Sequence, residues 1–171
     1  MLEEEATMLS LERILIDGRQ LCVALGGLIM ASLYYNPRLW LQDYPKPVQA
    51  KVPPLNGVEK RQQRLLMLPF LLVMLGIPLY SAYILRKETG ADFLSVYLHV
   101  FTLAQLFNLF DAVVLDLLIL TFMKPKFAVI PGAEGMEYLY HDWGMHLRNF
   151  LKGVVICTVI SLPIAGLVML L

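Results

Sequence analysis

The sequence predicts an all-α fold, a polytopic membrane protein built as a four-transmembrane-helix bundle with two long cytoplasmic loops. Hydrophobic residues make up 58% of the chain and the mean hydropathy is +0.64. Soluble domains usually stay near half apolar and interrupt their apolar runs every few residues. Here the polar residues are gathered between long apolar runs, and several of these runs approach the roughly 20 residues that cross a bilayer core.

Each predicted span rests on one apolar run. The runs 65–85, 93–123 and 153–171 are long enough without their flanks. A fourth run, 21–35, becomes adequate if its helix begins near Ile14. We therefore predict a single membrane domain over residues 1–171, with spanning helices at about 14–35, 58–85, 93–123 and 150–171 and interfacial helices at about 37–43 and 136–149.

The first long loop contains recognisable helix starts. In Asn36-Pro37, Asn is a good N-cap and Pro suits the first helical position. Four prolines within 45–54 favour an extended, polyproline-like track. Asn56 and Glu59 have the spacing of a capping box, which predicts that the second span begins there.

Basic residues are concentrated in the two long loops and their flanks. Ten Lys or Arg lie within 36–64 and 124–152, and four lie elsewhere. Because positive charge accumulates in cytoplasmic loops, we expect both loops inside and both termini outside the inner (cytoplasmic) membrane of a bacterial cell. The acidic start MLEEEATMLSLER lacks the basic beginning of a secretory signal, so the first span is expected to remain as an anchor.

The span 93–123 carries four polar residues in its inner part, Gln105, Asn108, Asp111 and Asp116. Taking about 100° per residue and Asn108 as zero, Asp111 lies at about −60° and Asp116 at about +80°. Gln105 falls at about +60°, so all four share one broad face. The sequence therefore predicts a polar intramembrane site on the third helix.

The expected partners of this site differ between its two carboxylates. Asp116 should lie on the cytoplasmic side, within reach of Arg38, Arg148 or Lys152, whereas Asp111 lies nearer the midplane and has no cation to pair with. Ionisable groups in membrane helices are costly and usually face protein or water. Two interpretations stay open, a structural staple and a substrate or proton site.

Histidines do not form a metal-binding pattern. If residues around them are helical, Glu137 pairs with His141 and Asp142 with His146 at i,i+4, but the two pairs lie about 140° apart. We therefore expect these residues to face water or the first loop, and we predict neither a metal nor a cofactor. His141, Asp142 and His146 are further candidate partners of the polar site at its cytoplasmic face. His99 is the only histidine in a predicted span, so a bis-histidine haem is not expected.

Three stretches together resemble a family. NPRLWLQDYP in the first loop, FNLFDAVVLD in the third span, and PGAEG with YHDWGMHLRNFLKG before the fourth are similar to stretches of an uncharacterised group of small bacterial four-helix integral membrane proteins. The resemblance covers most of the chain from Asn36 onward. It implies the fold and no activity, cofactor or catalytic residue.

Three function classes remain. The first is an accessory or binding subunit that recognises a lipid, a membrane protein or a second copy of the chain through the polar site. The second is a small enzyme that acts on a lipid or isoprenoid by Asp/His acid–base chemistry, although no nucleophile elbow or phosphate-binding loop is present. The third is proton or ion transport by an oligomer. A formal net charge of +0 gives no electrostatic reason to expect a nucleic-acid partner.

Overall fold

The computed structural model describes residues 2–171 of the chain, with side chains from Leu11 onward. This part is all-α and confirms the predicted four-helix membrane bundle, because four helices are long and apolar enough to cross a membrane. The longer elements are α1 (Leu2–Tyr35), α2 (Lys46–Lys51), α3 (Gly57–Thr89), α4 (Phe93–Phe110), a π-helix (Asp111–Met123) and α5 (Trp143–Leu170).

The bundle has two different ends. The loop end carries the two long connections, 36–56 and 124–142, and the turn end carries the short connection 90–92. Helix α4 packs against α1, α3 and α5, and α5 is its most extensive neighbour. Large apolar side chains on the outward faces, such as Leu72 and Val159, are exposed, as expected for residues that meet lipid.

Helix starts follow local capping. Asn56 accepts from the Glu59 N–H at 2.9 Å while the Glu59 carboxylate accepts from the Asn56 N–H at 2.8 Å, so the predicted capping box begins α3. Asp92 caps α4 by accepting from the Ser95 N–H. Gly90 ends α3 in a left-handed conformation, with φ 68°, which glycine adopts without steric cost.

Several predicted boundaries shift. The first helix begins at Leu2 rather than near 14, and α3 extends beyond the predicted 58–85 at both ends. The predicted interfacial helix 136–149 is divided, because Asp142 has non-helical backbone angles and caps the helix that follows it. A 3₁₀ helix covers Glu137–His141, and α5 begins at Trp143 rather than at 150.

The two long loops form a folded cap on the loop end. Tyr44 and Val48 of the first loop pack with Ile130 and Tyr140 of the second in one buried apolar cluster. The Tyr44 hydroxyl donates to the Ala128 carbonyl at 2.6 Å. The cap also contains a 3₁₀ helix, Pro37–Asp43, at the residues predicted for the first interfacial helix, and α2, which replaces the predicted extended proline track.

Helices α3 and α5 meet only in part. Their shared cluster lies toward the turn end, where Ala82 and Leu79 of α3 pack with Ile164 and Ala165 of α5. Near the loop end, Phe70 of α3 packs instead with residues of α1 and α4. The two helices therefore leave space between them on the side of the folded cap.

Polar contacts close the turn end. The Arg13 guanidinium binds the Glu88 carboxylate at 2.7 Å, which joins α1 to α3. The buried His99 Nε2 lies 2.8 Å from the Ser81 hydroxyl, which joins α4 to α3. Cys22 and Cys157 are free thiols.

Candidate functional site: a polar cavity at the loop end

A cavity of about 380 Å³ lies at the loop end, between the π-helix, α5 and the first loop. Polar and apolar side chains both line it. The polar lining contains Gln42, Asp43, Asn108, Asp111, Asp116, Thr121, His146, Asn149 and Lys152. The apolar and aromatic lining contains Ile29, Leu33, Trp40, Tyr44, Phe70, Phe107, Leu115, Leu120, Tyr140 and Ile156.

The π-helix brings the two carboxylates of the third span to this cavity. Its backbone hydrogen bonds run from residue i+5 to residue i, as in the bond from the Lys124 N–H to the Ile119 carbonyl at 3.0 Å. In an α-helix, Asp111 and Asp116 would lie about 140° apart. In a π-helix, residues five apart lie nearly one above the other, so Asp111, Asp116 and Thr121 line the same cavity. The angles predicted for an α-helix are thus wrong beyond Asp111.

The two amides of the third span join α4 to α5. The Asn108 amide donates to the Phe150 carbonyl at 3.2 Å and to the Gln105 side-chain oxygen at 3.1 Å. The Gln105 amide donates to the Val154 carbonyl at 3.4 Å. Of the four predicted residues, Asn108, Asp111 and Asp116 therefore line the cavity, and Gln105 lies outside its lining.

His146 is fixed in one tautomer by its neighbours. Its Nε2 lies 2.8 Å from the Tyr140 carbonyl oxygen, which can only accept, so Nε2 carries a proton. The Thr121 hydroxyl, 3.1 Å from Nε2, donates to the same carbonyl at 3.0 Å. The second ring nitrogen, Nδ1, is left to face Asp116.

This tautomer excludes one catalytic arrangement. Thr121, His146 and Asp116 follow each other in space as a nucleophile, a base and a carboxylate would. A nucleophilic hydroxyl must give its proton to an unprotonated Nε2, but here Nε2 is a donor and the Thr121 proton is held by a carbonyl. The three residues do not form a nucleophilic triad.

Two buried polar atoms of cavity-lining side chains have no hydrogen-bond partner among the described residues. His146 Nδ1 lies 3.7 Å from the Asp116 Oδ2 atom, which is too long for a hydrogen bond, and it has no other partner within this part of the chain. The Tyr140 hydroxyl likewise has no hydrogen-bond partner there. His146 and Tyr140 are only 9% and 4% exposed, and unpaired polar atoms at such depth usually have a ligand or water as partner.

The cavity mouth adds a third carboxylate and a lysine. Asp43 keeps contact with solvent, yet the protein around the cavity desolvates it and Asp116 repels its charge, which together raise its pKa to about 6. The Gln42 amide and the charge of Lys152 oppose this rise. Burial and the charge of Glu137 raise the pKa of Tyr140 to about 12, so this phenol remains neutral.

Four of the predicted partner residues lie elsewhere. Arg38 binds Glu59 at 2.6 Å and the Pro53 carbonyl at 2.9 Å, so it holds the first loop on α3 instead of reaching Asp116. Asp142, His141 and Arg148 are exposed outside the cavity lining, where Asp142 caps α5 and His141 contacts the Phe122 ring. Of the predicted cationic partners of Asp116, Lys152 is the one in the lining.

The polar face of the third span was expected to meet the two long loops, but three loop residues of the site were not identified from the sequence. Asp43, Trp40 and Tyr140 line the cavity, and none was singled out for it. Asp43 and Trp40 belong to NPRLWLQDYP, one of the three stretches that carry the resemblance, and that stretch was the available signal. Within residues 11–171, no group of three His, Cys, Asp or Glu side chains is arranged to hold a metal ion.

Comparisons of the chain with protein-family models, with curated proteins and with solved structures found no match. The interpretation of the cavity therefore rests on its geometry and its chemistry.

Proposed function

We propose that this integral membrane protein binds an amphipathic, lipid-like molecule in the cavity at its loop end, as an accessory or binding subunit of the membrane. The observation that carries this proposal is a single cavity lined both by apolar side chains and by a set of polar ones. Small-molecule sites typically combine an apolar lining with a few placed polar groups. The two unpartnered polar atoms supply further support.

Apolar residues from three helices line the cavity. They are Ile29 and Leu33 of α1, Phe70 of α3 and Ile156 of α5, and the outer faces of these helices are apolar and exposed. Because Phe70 and Ile156 both line the cavity, a hydrocarbon chain can enter between α3 and α5. The polar head would then lie under the folded cap.

Retention of bound lipid tests this proposal. Ile156→Trp adds a bulky ring to the apolar lining of the cavity. The control Val159→Trp adds the same ring to the same helix at an exposed position outside the lining. Native mass spectrometry of protein released from detergent micelles should show lipid adducts on the wild type and on Val159→Trp, and few on Ile156→Trp. Equal adducts on all three proteins, or none on the wild type, would contradict it.

A second candidate is acid–base catalysis on a lipid or isoprenoid. It is favoured by the unpaired His146 Nδ1 beside Asp116. There the ring can take a proton from a bound O–H or N–H group while the carboxylate stabilises the imidazolium. Lipid mass spectrometry of membranes with overproduced wild type or Asp116→Asn tests it, since turnover predicts a product that appears only with the wild type. Identical lipid profiles would remove this candidate.

Sidedness and assembly belong to the same proposal. We propose that the loop end faces the cytoplasm of a bacterial cell, because the basic residues of the two long loops support this orientation. Both termini would then be extracytoplasmic. A membrane protein or a second copy of the chain remains a proposed partner, and proton or ion transport by an oligomer remains a hypothesis from the sequence.

A further inference from the structure

We infer that the head group bound in this cavity is a protonated amine, so that the ligand is a cationic amphiphile with N–H donors. This inference rests on the proposed function and specifies its ligand. It is carried by the acceptors in the cavity, the space between them and the aromatic rings beside them.

The polar lining offers mainly acceptors. Three carboxylates belong to it, Asp43, Asp111 and Asp116, against one lysine among the described lining residues, Lys152. His146 adds a further acceptor when its ring is neutral, because the single proton is then on Nε2 and Nδ1 keeps its lone pair. An alkylammonium group has donors and no acceptor, so it complements this lining, whereas a phosphate or carboxylate head would meet like charge.

The spacing fits one donor atom. His146 Nδ1 and Asp116 Oδ2 are 3.7 Å apart, a separation that a single donor atom at about 2.8 Å from each would bridge. An ammonium nitrogen there would donate to both and leave its third N–H for Asp111, which the π-helix brings to the same cavity. Charge-assisted bonds of this kind are about twice as strong as neutral ones.

Aromatic rings complete the surroundings of a cation. Trp40, Phe70 and Phe107 line the cavity beside the carboxylates, and they form a chain of edge-to-face contacts. Ring faces attract ammonium groups, and tryptophan does so most strongly. An alcohol or an alkanoate head gains nothing from this property of the lining.

Tryptophan fluorescence provides a direct test. The chain has two tryptophans. Trp40 lines the cavity and Trp143 is 59% exposed outside it. In Trp143→Phe, Trp40 is the single reporter, and in Trp40→Phe the exposed Trp143 reports partition into the micelle. Both proteins, in neutral maltoside micelles, are titrated with a brominated alkylamine, n-alkanol and alkanoate of equal chain length.

The expected result is specific quenching of Trp40 by the amine, at a concentration about tenfold or more below that of the alkanol or alkanoate. Trp143 should be quenched only at the higher concentrations of simple partition. If the alkanol or the alkanoate quenches Trp40 as readily as the amine, the ammonium inference is overturned while amphiphile binding stands. If no probe quenches Trp40 before Trp143, the proposed function fails as well.

Charge variants on the Trp143→Phe background locate the effect. Asp116→Asn should reduce the preference for the amine over the alkanol about tenfold. Glu134→Gln removes the same charge from an exposed position of the loop end outside the cavity and should keep the preference. An unchanged preference in Asp116→Asn, or an equal loss in Glu134→Gln, would refute the assignment of the ammonium site.

Discussion

Asn108 occupies space that exists only because residue 153 has no side chain. A Cβ built at Gly153 would overlap the amide oxygen and carbon of Asn108. The same amide donates to the Phe150 carbonyl, so the close approach of α4 and α5 depends on a small residue opposite a polar one. Membrane helices often pack through small residues in this way.

Gly153→Ala should therefore destabilise the bundle by about 1–3 kcal/mol, measured as the free energy of unfolding in mixed micelles. Gly166 lies in the same helix with open space around its Cα, so Gly166→Ala is the matched control and should be neutral or slightly stabilising. The double variant Asn108→Ala/Gly153→Ala removes the overlap and should recover part of the loss. Equal effects of the two alanines would contradict this account.

Asp43 predicts how ligand affinity depends on pH. Its pKa is about 6 in the folded protein against an ordinary 3.8, so the fold favours the protonated form, and this contribution to stability is lost as the pH rises from 3.8 to about 6. The affinity for a cationic ligand depends on pH with the opposite sign, because the ionised Asp43 carboxylate attracts the ligand. Amine affinity, measured by Trp40 quenching, should rise several-fold from about pH 5 to about pH 7.

Asp43→Asn identifies the source of this pH dependence. Asp116 from the π-helix and Lys152 from α5 act on the charge of Asp43, and the other acidic side chains and His146 also lie in the lining. The variant should reduce the rise in amine affinity between about pH 5 and about pH 7, and it should change the affinity little near pH 5. A full rise in Asp43→Asn would assign the titration to another group.

The site was predictable at some residues and not at others. The sequence pointed to Asp111, Asp116 and Lys152 because ionisable residues inside or beside a membrane span usually face protein or water and often have a function. Arg38 was misjudged as a partner of Asp116 because its distance along the chain does not reveal that Glu59 and Pro53 surround it. Tyr140 was missed because its burial depends on packing between two loops.

At the scale of elements, the π-helix is the feature that sequence patterns do not predict. Helical periodicity assumes 3.6 residues per turn, and an apolar segment such as 111–123 gives no contrast from which a wider turn could be recognised. Extended π-helices are rare and are found mostly at functional sites. Here the wider turn aligns Asp111 with Asp116, so the polar site depends on the type of helix as well as on its sequence.

The π-helix ends with a strained residue, which leads to a prediction about the end of this helix. Lys124 has φ 48°, a left-handed conformation that costs a side-chain-bearing residue about 1–2 kcal/mol. Lys124→Gly should raise the unfolding free energy by about 1 kcal/mol. Lys126→Gly removes the same charge in the following 3₁₀ helix, where φ is not positive, and should show no gain. A loss of stability in Lys124→Gly would show that the strain is not relieved.

At the scale of the whole molecule, hydropathy was sufficient for the fold class and insufficient for the cap. Four apolar runs gave the four spans because a bilayer accepts few other arrangements. The folded cap depends on contacts between residues such as Tyr44 and Tyr140, which are far apart in the chain. No local rule predicts that two polar, proline-containing loops will share an apolar cluster.

The orientation of the whole molecule can be tested with single added cysteines. Glu134→Cys reports the loop end and Lys87→Cys reports the turn end, and both positions are exposed. A membrane-impermeant maleimide applied to intact cells should label Lys87→Cys and leave Glu134→Cys unlabelled until the membrane is opened. The unmodified chain, with Cys22 and Cys157 inside spanning helices, measures the background. The reverse labelling would invert the proposed orientation.

The number of residues between Asp111 and Thr121 also has a consequence for how this protein can change. A hydrogen bond from i+5 to i spans one residue more than the bond of an α-helix. Deleting one residue between Asp111 and Asp116 would leave these two residues four apart, a spacing that an α-helix places about 40° apart on one face. Such a deletion would replace a π-helical turn with an α-helical turn while keeping an apolar span and both carboxylates on one side of the helix. Substitution of either carboxylate is thus expected to alter the binding site more than the loss of one residue between them.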